Sequence, residues 1–140
     1  MNLVGFNFNK ISIEKIGEIN KNLKINTSMD ISSIEKIENT LLRNVEGLIN
    51  VVFNYKVDYE PDFAKIEFKG SMILSLEENQ VKTILKNWKD KKISEEIKIP
   101  LFNTILRKSS VKALQLEEEM NLPYHMPLPK FSNQQKEEKN

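Results

Sequence analysis

The chain has 140 residues, enough to bury one hydrophobic core and too few for two. Its 21 basic and 20 acidic residues nearly cancel, and every basic residue except Arg43 and Arg107 is Lys, which lacks the planar fork that clamps phosphates; nucleic acid is not an expected partner. Cysteine is absent, which removes disulfides, thiolate metal sites and cysteine catalysis. No apolar run approaches the roughly 20 residues of a membrane span, and Met1 to Lys10 lacks the segments of a signal peptide, so a cytoplasmic location without membrane insertion is the expectation.

Phe6 and Phe8 alternate with Asn7 and Asn9, and Ile11 and Ile13 resume the alternation one residue out of step, which predicts a strand bulged at Lys10. After a polar connection over Gly17 to Asn22, Leu23, Ile25, Thr27, Met29 and Ile31 alternate with polar residues in a second strand. Ile34, Ile37, Leu41 and Leu42 fit helical spacing, but Asn39, Thr40 and Asn44 interrupt it, leaving a helical turn and an irregular strand continuation both open. The strongest pattern follows. Ile49, Val51, Phe53, Tyr55, Val57 and Tyr59 share one side of a strand, and Ala64, Ile66, Phe68, Met72, Leu74 and Leu76 share one side of the next, joined at Glu60-Pro61-Asp62-Phe63. Gly70, inside that return strand, reads as a bulge or a close backbone approach.

Ser75 and Glu78 have capping-box spacing, and Val81, Ile84, Leu85 and Trp88 recur at helical intervals. Asp90 to Glu96 reads as a charged connection, and Pro100 as lying near the start of a longer helix, where its missing N–H costs little. The apolar stripe of that helix is Phe102, Ile105, Leu106, Ser109, Ala113, Leu116 and Met120; the small Ser109 and Ala113 would let another backbone approach closely. Asn121 and Pro123 should end it. Pro123, Pro127 and Pro129 then impose a stiff extended arm without internal hydrogen bonds, and residues from Ser132 onward lack the apolar content needed for order. The expected organisation is one domain over 1–131 and a disordered polar tail over 132–140. The expected fold is α+β, a four-stranded antiparallel, meander-like sheet followed by two C-terminal helices.

Catalysis finds little footing. His125, the single histidine, reads as an incidental surface residue, and Glu117-Glu118-Glu119 as a solvated helix face rather than an acid/base pair. Glycine-rich phosphate loops are absent. The expectation is a non-enzyme without metal or cofactor. Phe53, Tyr55, Tyr59, Phe68 and Trp88 read as core, but apolar positions also fall elsewhere, at Val52, Ile73 and Leu101. Such a surplus is removed by self-association or kept as a groove for partners.

The order of elements resembles the SecB family of export chaperones over about residues 5–131. The resemblance is carried by Phe6-Asn7-Phe8-Asn9-Lys10-Ile11, by Val51-Val52-Phe53-Asn54-Tyr55-Lys56-Val57, by Gly70-Ser71-Met72-Ile73 running into the first helix, and by Ile99-Pro100-Leu101-Phe102 near the start of the second. It implies an ATP-independent holdase that keeps unfolded or nascent polypeptides extended in apolar grooves, assembled as a homotetramer built from two dimers. Mapped onto this chain, the groove candidates are Phe53, Tyr55, Ile99, Leu101, Phe102 and Leu106, with plain core packing the alternative for each. Typical members are strongly acidic and dock a translocase motor on an acidic sheet surface. Here Lys56, Lys65 and Lys69 mix with Asp58 and Glu67, which favours a general chaperone without that motor, or one devoted to a single client such as an antitoxin. A second function class is an interaction protein that docks on a larger assembly, such as the ribosome, through its proline-rich arm.

Overall fold

The computed structural model describes residues 1–19, 22–38 and 46–133. Four strands, β1 (Asn2–Lys15), β2 (Lys24–Ile37), β3 (Glu46–Glu60) and β4 (Ala64–Glu77), precede two helices, α1 (Glu78–Trp88) and α2 (Glu95–Glu119). All neighbouring strands are antiparallel, in the order β1-β4-β3-β2. β2, β3 and β4 form the expected meander. β1 lies beyond β4, not beside β2, which gives the sheet the strand order of a Greek key and leaves β1 and β2 as its edges.

The hairpin follows the alternation in the sequence. Ile49, Val51, Phe53, Tyr55, Val57 and Tyr59 are buried, as are Ala64, Ile66, Phe68, Met72, Leu74 and Leu76, and the pairing Tyr55↔Phe68 stacks two of these rings 5.6 Å apart. Phe6, Phe8, Met29 and Ile31 from the edge strands extend the same face. The bulge in β1 falls at Asn9, one residue before the expected place, since Phe8 pairs with Gly70 and Lys10 with Lys69. Gly70 is a close approach: a Cβ there would stand 2.5 Å from Cζ of Phe53 and 2.6 Å from the Asn7 carbonyl oxygen. Ile34 and Ile37 continue strand β2, which resolves the first part of the ambiguous segment; Leu41 and Leu42 lie outside the described residues. On the opposite face Lys10 and Lys56 flank Glu67, and the Lys10 ammonium, hydrogen-bonded at 3.0 Å, holds the Glu67 carboxyl below its ordinary pKa.

Both helices pack on the apolar face. Val81 and Ile84 of α1 meet Ile49, Leu74 and Leu76, while Leu101 and Ile105 of α2 join that cluster and Ala113 joins a second one around Tyr55, Tyr59 and Ile66. The capping box does not form. Ser75 is still paired within β4, the N-cap is Glu77, and no side chain caps the helix.

α2 begins at Glu95, so Pro100 sits inside the helix rather than in its first turn. The Glu96 carbonyl therefore loses its usual i+4 donor, a cost set against packing of the whole helix. Glu95 and Glu96 oppose the positive end of the helix dipole. The buried face is turned relative to the expected stripe: it runs through Leu101, Ile105, Ser109, Ala113 and Glu117, while Leu106 points outward. Ser109 and Ala113 are both fully buried, Ala113 in a cluster with side chains of the chain's own sheet. Ile105, Ser109 and Ala113 lie where the stripe puts them; the difference comes from Leu101, which takes the inward place that Phe102 and Leu106 suggest, and from Glu117, which reads as solvated in sequence.

Candidate functional site

α2 packs across the sheet over β3, with Phe6 and Phe8 of β1 on one side of it and Met29 and Ile31 of β2, together with Trp88 at the end of α1, on the other. Two open depressions result. One, of about 450 Å³, lies between β1 and α2, floored by Phe6, Phe8 and Val111 and rimmed by Arg107, Lys108 and Lys112. The other, of about 460 Å³, lies between β2 and the start of α2, where Met29, Ile31, Trp88, Ile93 and Phe102 are bordered by Lys91 and Lys98 and by Asp30. In both, lysines lie over rings: Lys108 is 5.3 Å from the Phe6 centroid, Lys91 is 4.5 Å from Trp88 and Lys98 is 5.5 Å from Phe102. A smaller hollow of about 210 Å³ separates α1 from the first turn of α2, with Ile84, Ile93 and Ile97 among mostly polar neighbours.

The six groove candidates divide. Phe53, Tyr55 and Leu101 are fully buried and offer nothing to a partner while α2 is seated. Leu101 is core, not surplus. Ile99 and Leu106 are 58% and 41% exposed, and with the half-buried Phe102 they follow i, i+3, i+7 spacing along the outer side of α2. The residues missed in sequence are Phe6, Phe8, Trp88 and Val111, which topology brings to the flanks of α2. Phe6 and Phe8 are legible as strand residues, but which strand or helix lies beside them is not encoded locally.

A second cluster corrects the reading of His125 and Glu117. Asn121, with φ 54°, turns the chain back at the end of α2, and the Leu122 and Asn121 amides donate to the Glu117 and Glu118 carbonyls in a Schellman arrangement. The arm is thereby laid over the helix it leaves. Leu122 is buried, the backbone N–H of His125 donates to Oε1 of Glu117 at 3.0 Å, and Nδ1 of His125 lies 2.7 Å from Oε2. The Glu117 side chain is 0% exposed and that of His125 4%. Since a carboxylate only accepts, Nδ1 carries the hydrogen. Nε2 lies 3.2 Å from the Tyr55 hydroxyl, which pairs with it, and Ser110, 3.3 Å from the same hydroxyl, completes the chain of bonds. Tyr59 donates to the Pro123 carbonyl at 2.5 Å. Burial, reinforced by the Glu117 carboxylate, raises the Tyr55 and Tyr59 pKa values above the ordinary phenol range, with the Ser110 hydrogen bond acting the other way at Tyr55. The hydrogen bond to Glu118 raises that of Tyr124.

Serine, tyrosine, histidine and glutamate in series suggest a proton relay, yet none of the four lines any of the three depressions. They hold the arm down. Beyond the latch the arm offers Met126 and Leu128 half-exposed and Phe131 99% exposed. Among the described residues no three His, Asp or Glu side chains come together as metal ligands, and no helix is long and apolar enough to cross a membrane.

No protein-family model matches the sequence, and no curated protein matches it. The fold is nevertheless shared with a solved structure, the SecB-like chaperone Rv1957 of Mycobacterium tuberculosis in complex with a ChAD peptide from the antitoxin HigA1 (Rv1956). The two superpose with a TM-score of 0.53 at 8% identity, over 94% of this chain and 91% of the other. The chain is thus similar in fold to a SecB-like chaperone.

Proposed function

We propose that the protein is an ATP-independent holdase that keeps unfolded polypeptides extended in the two depressions beside α2. The observation that carries this reading is the pair of open, aromatic-floored depressions flanking one helix, in a fold similar to that of a chaperone solved with a peptide. Capture of about four client side chains at ~2 kcal/mol each gives a gross gain of about 8 kcal/mol, comparable with the cost of association, so one site binds weakly. Several sites on one assembly raise the effective concentration and let a long client wrap. Ile99 and Leu106 on the outer side of α2 are the proposed contact between subunits, in a dimer of dimers.

The test is suppression of aggregation of a denatured substrate by the purified protein. Protection at a stoichiometric amount of the assembly is expected; none at any ratio would remove the reading, as would a monomer by light scattering that stays indifferent to unfolded clients.

The exposed Met126, Leu128 and Phe131 favour a second reading, a protein that docks on a larger assembly through its arm. Truncation after Met126 discriminates: it spares the His125 latch and both depressions, so holdase activity should survive and arm-dependent docking should not.

A further inference from the structure

The depression between β1 and α2 is charged on one side of neutrality only. Arg107, Lys108 and Lys112 rim it, no acidic residue lines it, and none of the three takes part in an ion pair among the described residues. Its floor is apolar. On the other flank Lys91 and Lys98 again lie over groove aromatics, against the single carboxylate of Asp30, which already accepts a hydrogen bond from Asn54. The chain as a whole is close to neutral, with a formal charge of +1, so this excess is local. A lysine over a ring keeps its ammonium beside the apolar floor, where a carboxylate next to an apolar anchor can reach it.

We propose that these depressions select extended polypeptide segments in which apolar residues alternate with Asp or Glu. The inference rests on the holdase reading and names its client class. An extended segment sends alternate side chains to opposite sides, so apolar anchors can settle on Phe6, Phe8 and Val111 while neighbouring carboxylates meet Arg107, Lys108 and Lys112. An acidic-apolar segment is matched in both respects, whereas a basic one faces like charge along the rim.

Fluorescence anisotropy of the full-length protein with three labelled peptides tests this. The peptides share alternate apolar residues and differ only in carrying Glu, Ser or Lys between them. The acidic peptide should bind about tenfold more tightly than the basic one, as several weak exposed pairs would give, and should lose that advantage as salt is raised. The triple variant R107Q/K108Q/K112Q should reduce the preference, and the quintuple variant K91Q/K98Q/R107Q/K108Q/K112Q should level it; circular dichroism checks that each is folded. Equal binding of the three peptides by a protein that still suppresses aggregation would overturn the acidic preference alone. Binding of none, without suppression, would overturn the holdase reading beneath it. Displacement of the acidic peptide by a polyuridine oligonucleotide that binds more tightly would overturn the proposal in favour of nucleic acid.

Discussion

Nδ1 of His125 lies 2.7 Å from Oε2 of Glu117, two side chains eight positions apart that the turn at Asn121 folds face to face out of contact with water. Removing one member leaves the other buried without its partner, the costly way to break such a pair. His125→Ala should therefore destabilise by about 3–5 kcal/mol. Glu117→Leu/His125→Leu, which removes both, should lose less than the sum of its single variants, read from urea denaturation as a double-mutant cycle.

All three tyrosines, Tyr55, Tyr59 and Tyr124, have raised pKa values. A group whose folded pKa lies above its unfolded value binds more protons in the native state, so its stabilisation is complete below about pH 10 and is lost as pH rises through the folded value. Absorbance titration should show less phenolate in the native protein near pH 10 than in the urea-unfolded chain, which is about half ionised there. The native step should coincide with alkaline unfolding for Tyr55 and Tyr59. A native step of full amplitude near pH 10 would contradict the latch.

Leu101 and Leu106 lie on the same helix and should behave oppositely. Leu101→Ala, at a site with 1% exposure, should cost about 2–5 kcal/mol in denaturant unfolding. Ile99→Ser and Leu106→Ser should change monomer stability by about 0.5 kcal/mol or less but lower the assembly mass measured by light scattering.

Among the described residues the hydroxyl of Ser109 is buried without a hydrogen-bond partner. Ser109→Ala keeps the residue small and removes that uncompensated group. It should raise stability by about 1 kcal/mol, measured as a shift in the urea midpoint at unchanged slope.

The hairpin is legible in sequence because Ile49 to Tyr59 and Ala64 to Leu76 each keep their apolar residues in one two-residue register, with Gly70 taking a single inward place, and a one-residue slip would expose the whole set. The phase of α2 is not. Ser109 falls on the expected stripe, but Leu101 displaces Leu106 from the buried side, and Glu117 lies there for a reason supplied elsewhere, by a histidine beyond the helix end. Glu117 and His125 are close in sequence, and Asn121 and Pro123 between them signal a reversal; Tyr55, the third member, is separated from His125 by 70 positions. The depressions were hidden for the same reason, since Phe6 and Val111 become neighbours only through the order of strands.

That order sets a timetable for the chain's own folding. Each strand of the β2-β3-β4 meander meets a partner made next to it, but β1 must find β4, with Asn2 opposite Ser75 and Lys15 opposite Ala64. On the ribosome β1 leaves first and its partner leaves last among the strands, so Phe6, Phe8 and Ile11 wait unpaired for most of the sheet's synthesis. Until β4 appears, the N-terminal segment is itself an extended, apolar, aggregation-prone polypeptide.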